Sequence, residues 1–350
     1  MAVIVLEHYK RILVTGGLGF IGRHLVRALL DLGKEVVILD NLATVTDPSP
    51  PAGSTLIKAD IRDSRKVAEA VRGTAPELVF HVAANASGTV SVEEPRLDFD
   101  TNARGTFNVL EASLAARVTR FVYVSSASVY GRPQYFPMDE GHPRSPFVPY
   151  GTSKLTGEVY TSTFFTTYDL PTVIARPFCV YGPGENPRTA LVEVGRYLRW
   201  HLNHKPIQIV GDKHRKTRDF VHVSDVVRGL LLVADKAAPG EIFNFGSGEE
   251  VSMLQLAEII GEVTGRPAEI RELSHIKDDT YRLVSDISRL RALGYEPRFS
   301  LREGLRQLAA ELGDYPELPG TATIFKKGQQ AEQMDPQDSA LRPAKDLLAQ

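Results

Sequence analysis

Through the first half of the chain, short runs of β-branched and other apolar residues alternate with longer stretches whose apolar positions recur at helical spacing. A short apolar run suits a buried strand and a 3.6-residue period suits an amphipathic helix, so the alternation predicts βαβ units and a parallel sheet. Strands are expected at RILVT (11–15), EVVILD (35–40), STLIKAD (54–60), ELVFHVAA (77–84), RFVYVSS (120–126) and PTVIAR (171–176). Between them the pattern predicts helices from Phe20 to Leu32, near 63–72, near 96–116 and from Tyr150 to Tyr168. Beyond about residue 177 the alternation loosens. Pro183, Gly184 and Pro187 mark a loop, followed by a helix near 189–203 and short strands near 206–210, 218–222 and 241–245. Helices near 225–236, 252–264 and 301–313 follow.

These elements describe an α/β protein. A doubly wound parallel sheet is expected over 1–176, and a smaller α/β region over 177–315, with some chain crossing back and a cleft between. From about Pro316 onward Gly, Pro, Gln and charged residues dominate, so 316–350 is expected to be a flexible tail. Among the 350 residues, 43% are hydrophobic and 24% charged, enough for a large core. Lys plus Arg (41) nearly balance Asp plus Glu (43), which gives no electrostatic reason to expect nucleic acid or an anionic membrane as partner. Cys179 is the one cysteine, so an intrachain disulfide and a thiolate-rich metal site are excluded, and the histidines are too scattered for a metal cluster. No apolar run reaches the ~20 residues of a membrane span. The opening MAVIVLEHYK lacks the basic start and long apolar stretch of a secretory signal, so a soluble cytoplasmic protein is expected.

Gly16, Gly19 and Gly22 stand in TGGLGFIG, directly after the first strand and opening a helix that begins with Phe20 and Ile21. Glycine there lets backbone N–H groups approach a pyrophosphate, and the helix amino terminus adds partial positive charge. Asp40 closes the second strand, where a carboxylate can bind ribose hydroxyls and would repel a 2′-phosphate. Asn41 and Leu42 beside it supply no compensating cation, and Asn41 joins the candidate cofactor contacts. The pattern therefore points to NAD rather than NADP. Asp60 and Ile61, past the third strand, are candidates for the adenine edge, although Asp60 could equally cap the next helix. Ala83 and Ala84 are small residues where the cofactor must pass a strand end.

Tyr150 and Lys154 form Y-x-x-x-K, an i,i+4 pair on one helix face. A free tyrosine, with a pKa near ~10, is a poor base at neutral pH. A neighbouring ammonium and a cationic nicotinamide would stabilise its phenolate, so that Tyr150 could accept a hydroxyl proton while hydride leaves the same carbon. Ser126, ending a strand, is placed to hydrogen-bond that hydroxyl.

At this point the chain resembles the extended short-chain dehydrogenases/reductases, the group of nucleotide-sugar epimerases, dehydratases and decarboxylases. The resemblance spans about 11–313 and rests on seven blocks in family order: TGGLGFIG, DIRD (60–63), HVAAN (81–85), SSASVYG (125–131), YGTSK (150–154), RPFCVYGPG (176–184) and TRDFVHVSDVV (217–227). It implies a Rossmann-like NAD-binding domain, a carboxyl-terminal domain for a nucleotide-sugar substrate, and catalysis by Ser126, Tyr150 and Lys154, with Lys154 also on the nicotinamide ribose. It further implies that Asn102 orders the active site beside the cofactor and that Arg218 contacts the nucleotide diphosphate. A homodimer built from two helices per subunit, near 96–116 and 150–168, is implied as well.

The residues after Ser126 bear on the reaction. Sugar-nucleotide 4,6-dehydratases carry an Asp-Glu pair there, and this chain has Ala127 and Ser128, which cannot serve as carboxyl acid or base. The stretch resembles the epimerases, implying 4-epimerisation of a UDP-glucose/UDP-galactose type substrate through a transient 4-keto sugar. Many relatives have Asn where Cys179 stands, and an Arg-Pro-Gly-Asp segment where this chain reads Ile276, Lys277, Asp278, Asp279, so Lys277 or Arg282 is the candidate phosphate ligand. Thr89, Tyr181, Arg188 and His222 are further pocket candidates, His222 being more readily a packed polar residue. The alternatives are an NAD(P)H-dependent keto-sugar reductase, which would need external reduced cofactor, and a 4-epimerase of a UDP-uronate or UDP-N-acetylhexosamine. A cofactor-sensing protein without catalysis would be indifferent to loss of Tyr150.

Overall fold

A computed structural model describes residues 6–189, 192–274 and 281–319. Its centre is a parallel sheet of seven strands: β1 (Arg11–Thr15), β2 (Glu35–Asp40), β3 (Ser54–Lys58), β4 (Leu78–His81), β5 (Arg120–Val124), β6 (Thr172–Pro177) and a seventh, Ile242–Phe245. The spatial order is β3-β2-β1-β4-β5-β6 and then the seventh strand, which returns from the second half of the chain to pair with β6. The order reverses between β1 and β4, and connections leaving those strands to opposite faces open a crevice at their carboxyl ends.

The strands are continuous apolar runs because both faces of the sheet are covered. Ile12, Val14, Phe80 and Val122 face one layer, against Leu25, Val26 and Leu29 of α1 (Phe20–Asp31) and Val226 and Leu230 of the helix Val223–Lys236. Leu13, Val79, Phe121 and Tyr123, one residue out of step, face the other, against Val67 and Val71 of α2 (Ser64–Thr74) and Val109 and Leu110 further along. Rossmann-like architecture follows from this order and layering. A separate core gathers Tyr197, Leu198, Ile207, Ile209, Leu256, Ile260 and Leu305 from the later helices and short strands.

Four expectations are refined. The ladders end at Lys58, His81 and Val124, short of Asp60, Ala84 and Ser126, because those last residues leave the sheet around the crevice. The single helix expected near 96–116 is divided into α4 (Pro95–Phe99), a π-helical turn (Asp100–Arg104) and α5 (Gly105–Ala115), preceded by a short α3 (Gly88–Glu93). The strand expected at 218–222 is also divided. Thr217–Arg218 pairs with Val251–Ser252 and Arg282–Leu283, whereas Phe220–His222 pairs with Cys179–Tyr181. Between them the buried Asp219 carboxylate accepts from Ser247 N (2.7 Å), Gly248 N (3.1 Å) and Ser285 N (3.3 Å). The helix expected near 189–203 begins at Glu193, after a 3₁₀ turn at Pro187–Thr189. Lys277 and its neighbours 276–279, and 320–350 of the expected tail, lie outside the described residues. No helix among the described residues is long and apolar enough to cross a membrane.

Candidate active site

The crevice holds a cavity of about 410 Å³, within the range of small-molecule and cofactor sites. Its floor is the turn from β1 into α1. Gly16 has φ of +67°, and a Cβ there would stand 2.7 Å from the Ala83 backbone. A Cβ on Gly22 would stand 2.1 Å from the Gly16 carbonyl oxygen. Glycine at these positions lets the turn close tightly against β4 and brings bare backbone to the cavity. No side chain caps α1 and no acidic residue lies in its first turn, so its amino-terminal N–H groups are disposed toward an anion. Asp40, nearly buried at the end of β2, accepts from Leu18 N (3.0 Å) and Leu42 N (2.8 Å). This fixes the carboxylate at the rim with lone pairs left for hydroxyl donors. The donor set, an uncapped helix start followed by a fixed carboxylate, fits the pyrophosphate and ribose of NAD. Among the described residues that line the cavity Lys154 is the only cation, so nothing there favours a 2′-phosphate.

Gly19, Phe20, Ile21, Asn41, Ile61, Ala83 and Ala84 also line the cavity, as the sequence suggests. Asp60 and Asn102 stand behind the lining. The Asp60 carboxylate is engaged by Arg62 (2.9 and 2.8 Å) and by Asn41 Nδ2 (2.9 Å), and the Arg62 hydrogen bonds hold its pKa far below the usual carboxylate range. Asn102, in the π-helical turn, is fully buried. Its Nδ2 donates to the Asn85 carbonyl (3.0 Å), Asp98 Oδ1 (3.0 Å) and Ser153 Oγ (3.1 Å), and its Oδ1 accepts from Asn85 N (2.8 Å). The extra residue of a π turn is what aims this amide inward. Asn102 thereby joins the loop after β4 to α6 (Pro149–Tyr168), the helix that carries Tyr150 and Lys154.

Ser126, Tyr150 and Lys154 converge on one end of the cavity. Pro149 at the start of α6 suits the first helical turn, where its missing N–H costs nothing. One turn separates Tyr150 from Lys154, so both face the sheet. Lys154 is buried, donates to the Val124 carbonyl (2.6 Å) and lies 4.4 Å from the Tyr123 ring centroid. Burial lowers its pKa to about 7, against the opposing pull of Glu158 and Asp98. Burial raises the Tyr150 phenol, and its hydrogen bond with Ser126 pulls the other way. Ser126 is itself oriented by Ser128, whose backbone N–H donates to Ser126 Oγ (3.1 Å).

Arg218, the expected diphosphate contact, does not itself line the cavity but lies in a buried cluster of charges next to Cys179, which does. Arg218 is buried, 3.4 Å from Glu193, and donates to the Thr217 carbonyl (2.9 Å). Burial pushes Glu193 up, but Arg218, Arg196 and Lys216 outweigh it and hold the carboxyl below its ordinary range. Cys179 lines the cavity half-buried, and burial together with Glu193 raises its thiol pKa strongly, which leaves it a neutral thiol. Thr89, in α3, and Arg188, which is largely exposed and paired with Glu317 (3.2 Å), do not line the cavity. Arg282 is engaged by Glu250 (2.5 and 2.6 Å). Tyr181 and His222 are buried in packing. His222 stacks 4.2 Å from Phe299, and burial lowers its pKa to about 4.

Sequence reasoning did not identify Thr44, Val45 and Thr46 after β2, nor Glu185 and Asn186 after Gly184, all of which line the cavity. Both segments are loops without a periodic signal. The nearest cue is Pro183-Gly184, which marks the second loop without giving its partner.

A sequence model described as "NAD dependent epimerase/dehydratase family" matches residues 12–246. The chain is 36% identical over 298 residues to a putative UDP-glucose 4-epimerase of Methanocaldococcus jannaschii, covering 85% of this chain and 96% of that one. Its fold matches the crystal structure of the Thermotoga maritima UDP-glucose 4-epimerase with UDP-glucose (TM-score 0.82, 34% identity, 86% of this chain and 98% of that one). It matches the Thermus thermophilus UDP-glucose 4-epimerase in complex with NAD about as well (TM-score 0.81, 35% identity, 86% and 98%).

Proposed function

We propose that this chain, which belongs to the NAD-dependent epimerase/dehydratase family, interconverts UDP-glucose and UDP-galactose by inverting C4 of the sugar. It is an NAD-dependent sugar-nucleotide epimerase of the extended short-chain dehydrogenase/reductase type. The observation that carries the reading is the convergence of Ser126, Tyr150 and Lys154 at one end of the cavity with Ala127 and Ser128, not a carboxyl pair, beside them.

Bound NAD supplies the hydride acceptor, and later the hydride donor, at C4. Gly16, Gly19 and Gly22 with the start of α1 would hold the pyrophosphate and Asp40 the adenosine ribose, and Ala83 and Ala84 would leave the passage past the end of β4. Tyr150 takes the proton of the 4-hydroxyl and gives it back, and Ser126 holds the same oxygen through both transfers. In a site where burial raises the phenol, Lys154 provides the compensating cation, and Asn102 fixes the helix that carries both. With NAD bound, the 4-keto sugar would have to present its opposite face before the hydride is returned. Loss of water would require a further acid and base, which Ala127 and Ser128 cannot supply. We assign substrate binding to the 177–315 part, with Arg218 on the diphosphate.

A homodimer is proposed through the helical stretch from α4 to α5 and through α6, which leave Phe99 (56%), Val159 (53%) and Tyr168 (52%) exposed. A cytoplasmic location agrees with the need for NAD. The test is ¹H NMR of the purified protein with UDP-, dTDP- and GDP-sugars and no added cofactor. The reading expects UDP-glucose to yield UDP-galactose. Turnover only of a keto-sugar with added NADH or NADPH would replace it with the reductase.

A further inference from the structure

Two loops that share no element meet across the rim of the cavity. One follows β2, where Leu42, at φ +64°, reverses the chain as its N–H donates to Asp40 Oδ1 (2.8 Å). Leu42 and Val45 pack on the core beneath. Further on, Arg23 of α1 ties the loop through Asp47 Oδ2 (3.3 Å) and the Ser49 carbonyl (3.2 Å). The other loop is the turn at 183–186. His24 Nε2 donates to the Pro183 carbonyl (2.8 Å), Gly184 N donates to Glu311 (2.8 Å), and Arg199 donates to the Glu185 carbonyl (3.1 Å). That turn is therefore fixed to three helices.

Asn186 connects the two. Its Oδ1 accepts from Arg188 N (2.9 Å), a local turn that settles which end of the amide faces the chain. Nδ2 is left pointing across the rim and donates to the Thr44 carbonyl (2.7 Å). Thr44 and Asn186 both line the cavity that the glycine turn and Asp40 line. A dinucleotide lying along that turn, with its ribose at Asp40, would have to leave past this bond.

We propose that Asn186 is a cofactor-retaining residue, a clasp on Thr44 that keeps one NAD in place between the two hydride transfers. The inference rests on the epimerase reading, because only a reaction that takes and returns the same hydride gains from a cofactor that does not exchange. A reductase must release its cofactor in every cycle.

Asn186→Asp is the discriminating variant. The carboxylate can still accept from Arg188 N, so the local turn survives, but it cannot donate to Thr44 and repels that carbonyl. The measurement is the rate at which NAD bound to the purified holoprotein exchanges for excess fluorescent etheno-NAD, followed without sugar substrate. Loss of the hydrogen bond is expected to speed exchange by about five-fold or more, while the holoprotein at saturating NAD still melts in one cooperative transition within a few degrees of wild type. Asn186→Ala should release at least as fast. Wild-type exchange in Asn186→Asp overturns the clasp, also if Asn186→Ala alone is faster, since the local turn would then be the cause. The two readings fail separately. Faster exchange in a protein that epimerises no nucleotide sugar keeps the clasp and rejects the epimerase, whereas unchanged exchange in an active epimerase rejects only the clasp.

Discussion

The glycine turn that lines the cavity and the Arg218 cluster beside it, the two ends of the proposed site, are built of different materials. At the first, backbone faces the cavity: N–H groups at an uncapped helix start, made reachable because Gly16 and Gly22 carry no Cβ. At the second, Arg218 is buried against Glu193, with Arg196 and Lys216 close enough to depress that carboxyl. A backbone site has no counter-charge to rearrange, whereas the strength of a side-chain site is set by how its cations are already paired. The first end should therefore be insensitive to single charge changes, and the second should respond to them in both directions.

The largest effect separates chemistry from both ends. Tyr150→Phe should lower kcat by about 10²–10⁴-fold, with the NAD content of the purified protein unchanged, as read by NMR turnover and by cofactor release on denaturation. Retained activity would place proton transfer elsewhere. Next, Arg218→Ala leaves Glu193 buried beside one cation fewer and should cost about 3 kcal/mol of stability in urea melts, while raising KM for the nucleotide sugar. NAD affinity measured on the same variant should not move. If it falls with KM, the two ends are one site and the contrast fails. Glu193→Gln should act in the opposite direction, lowering KM a few-fold with kcat unchanged, because Arg218 then meets the diphosphate without a bound counter-charge.

A last effect, on stability alone, concerns the end of β4 beneath the cavity. His81 is fully buried, with Nδ1 2.7 Å from Thr15 Oγ1 and Nε2 2.9 Å from Thr106 Oγ1. Thr106 spends its own proton on the Asn102 carbonyl (2.6 Å), so Nε2 carries the imidazole hydrogen. Burial, with Lys154 adding to it, lowers the His81 pKa to about 3, whereas an unfolded-chain histidine titrates near ~6.5. Between these values the unfolded chain binds one proton more than the native protein. Stability is thus lost as pH falls through that window and is fully present above it, with a slope of at most about 1.4 kcal/mol per pH unit from this group. His81→Gln should flatten that part of the stability–pH curve.

The same contrast explains what could be read from the chain. β1 with TGGLGFIG and the Y-x-x-x-K pair are local patterns, and each lies where its period or spacing puts it, whereas Ser126, expected to end a strand, stands two residues past β5. The π-helical turn around Asn102 carries no periodic mark, since one added residue in a helix is decided by the contacts its amide finds. The division at Asp219 depends on donors from Ser247, Gly248 and Ser285, at least 28 positions away. The pairing of Asn186 with Thr44 spans 142 positions, and nothing in either loop announces the other.

The central claim is that hydride leaves C4 and returns to it on the same bound cofactor. UDP-glucose deuterated at C4, incubated with the holoprotein in ordinary water and excess unlabelled NADH, tests it most directly by NMR. UDP-galactose with the deuterium retained at C4 is predicted, whereas replacement of that deuterium by hydrogen from water or from the added NADH would contradict it.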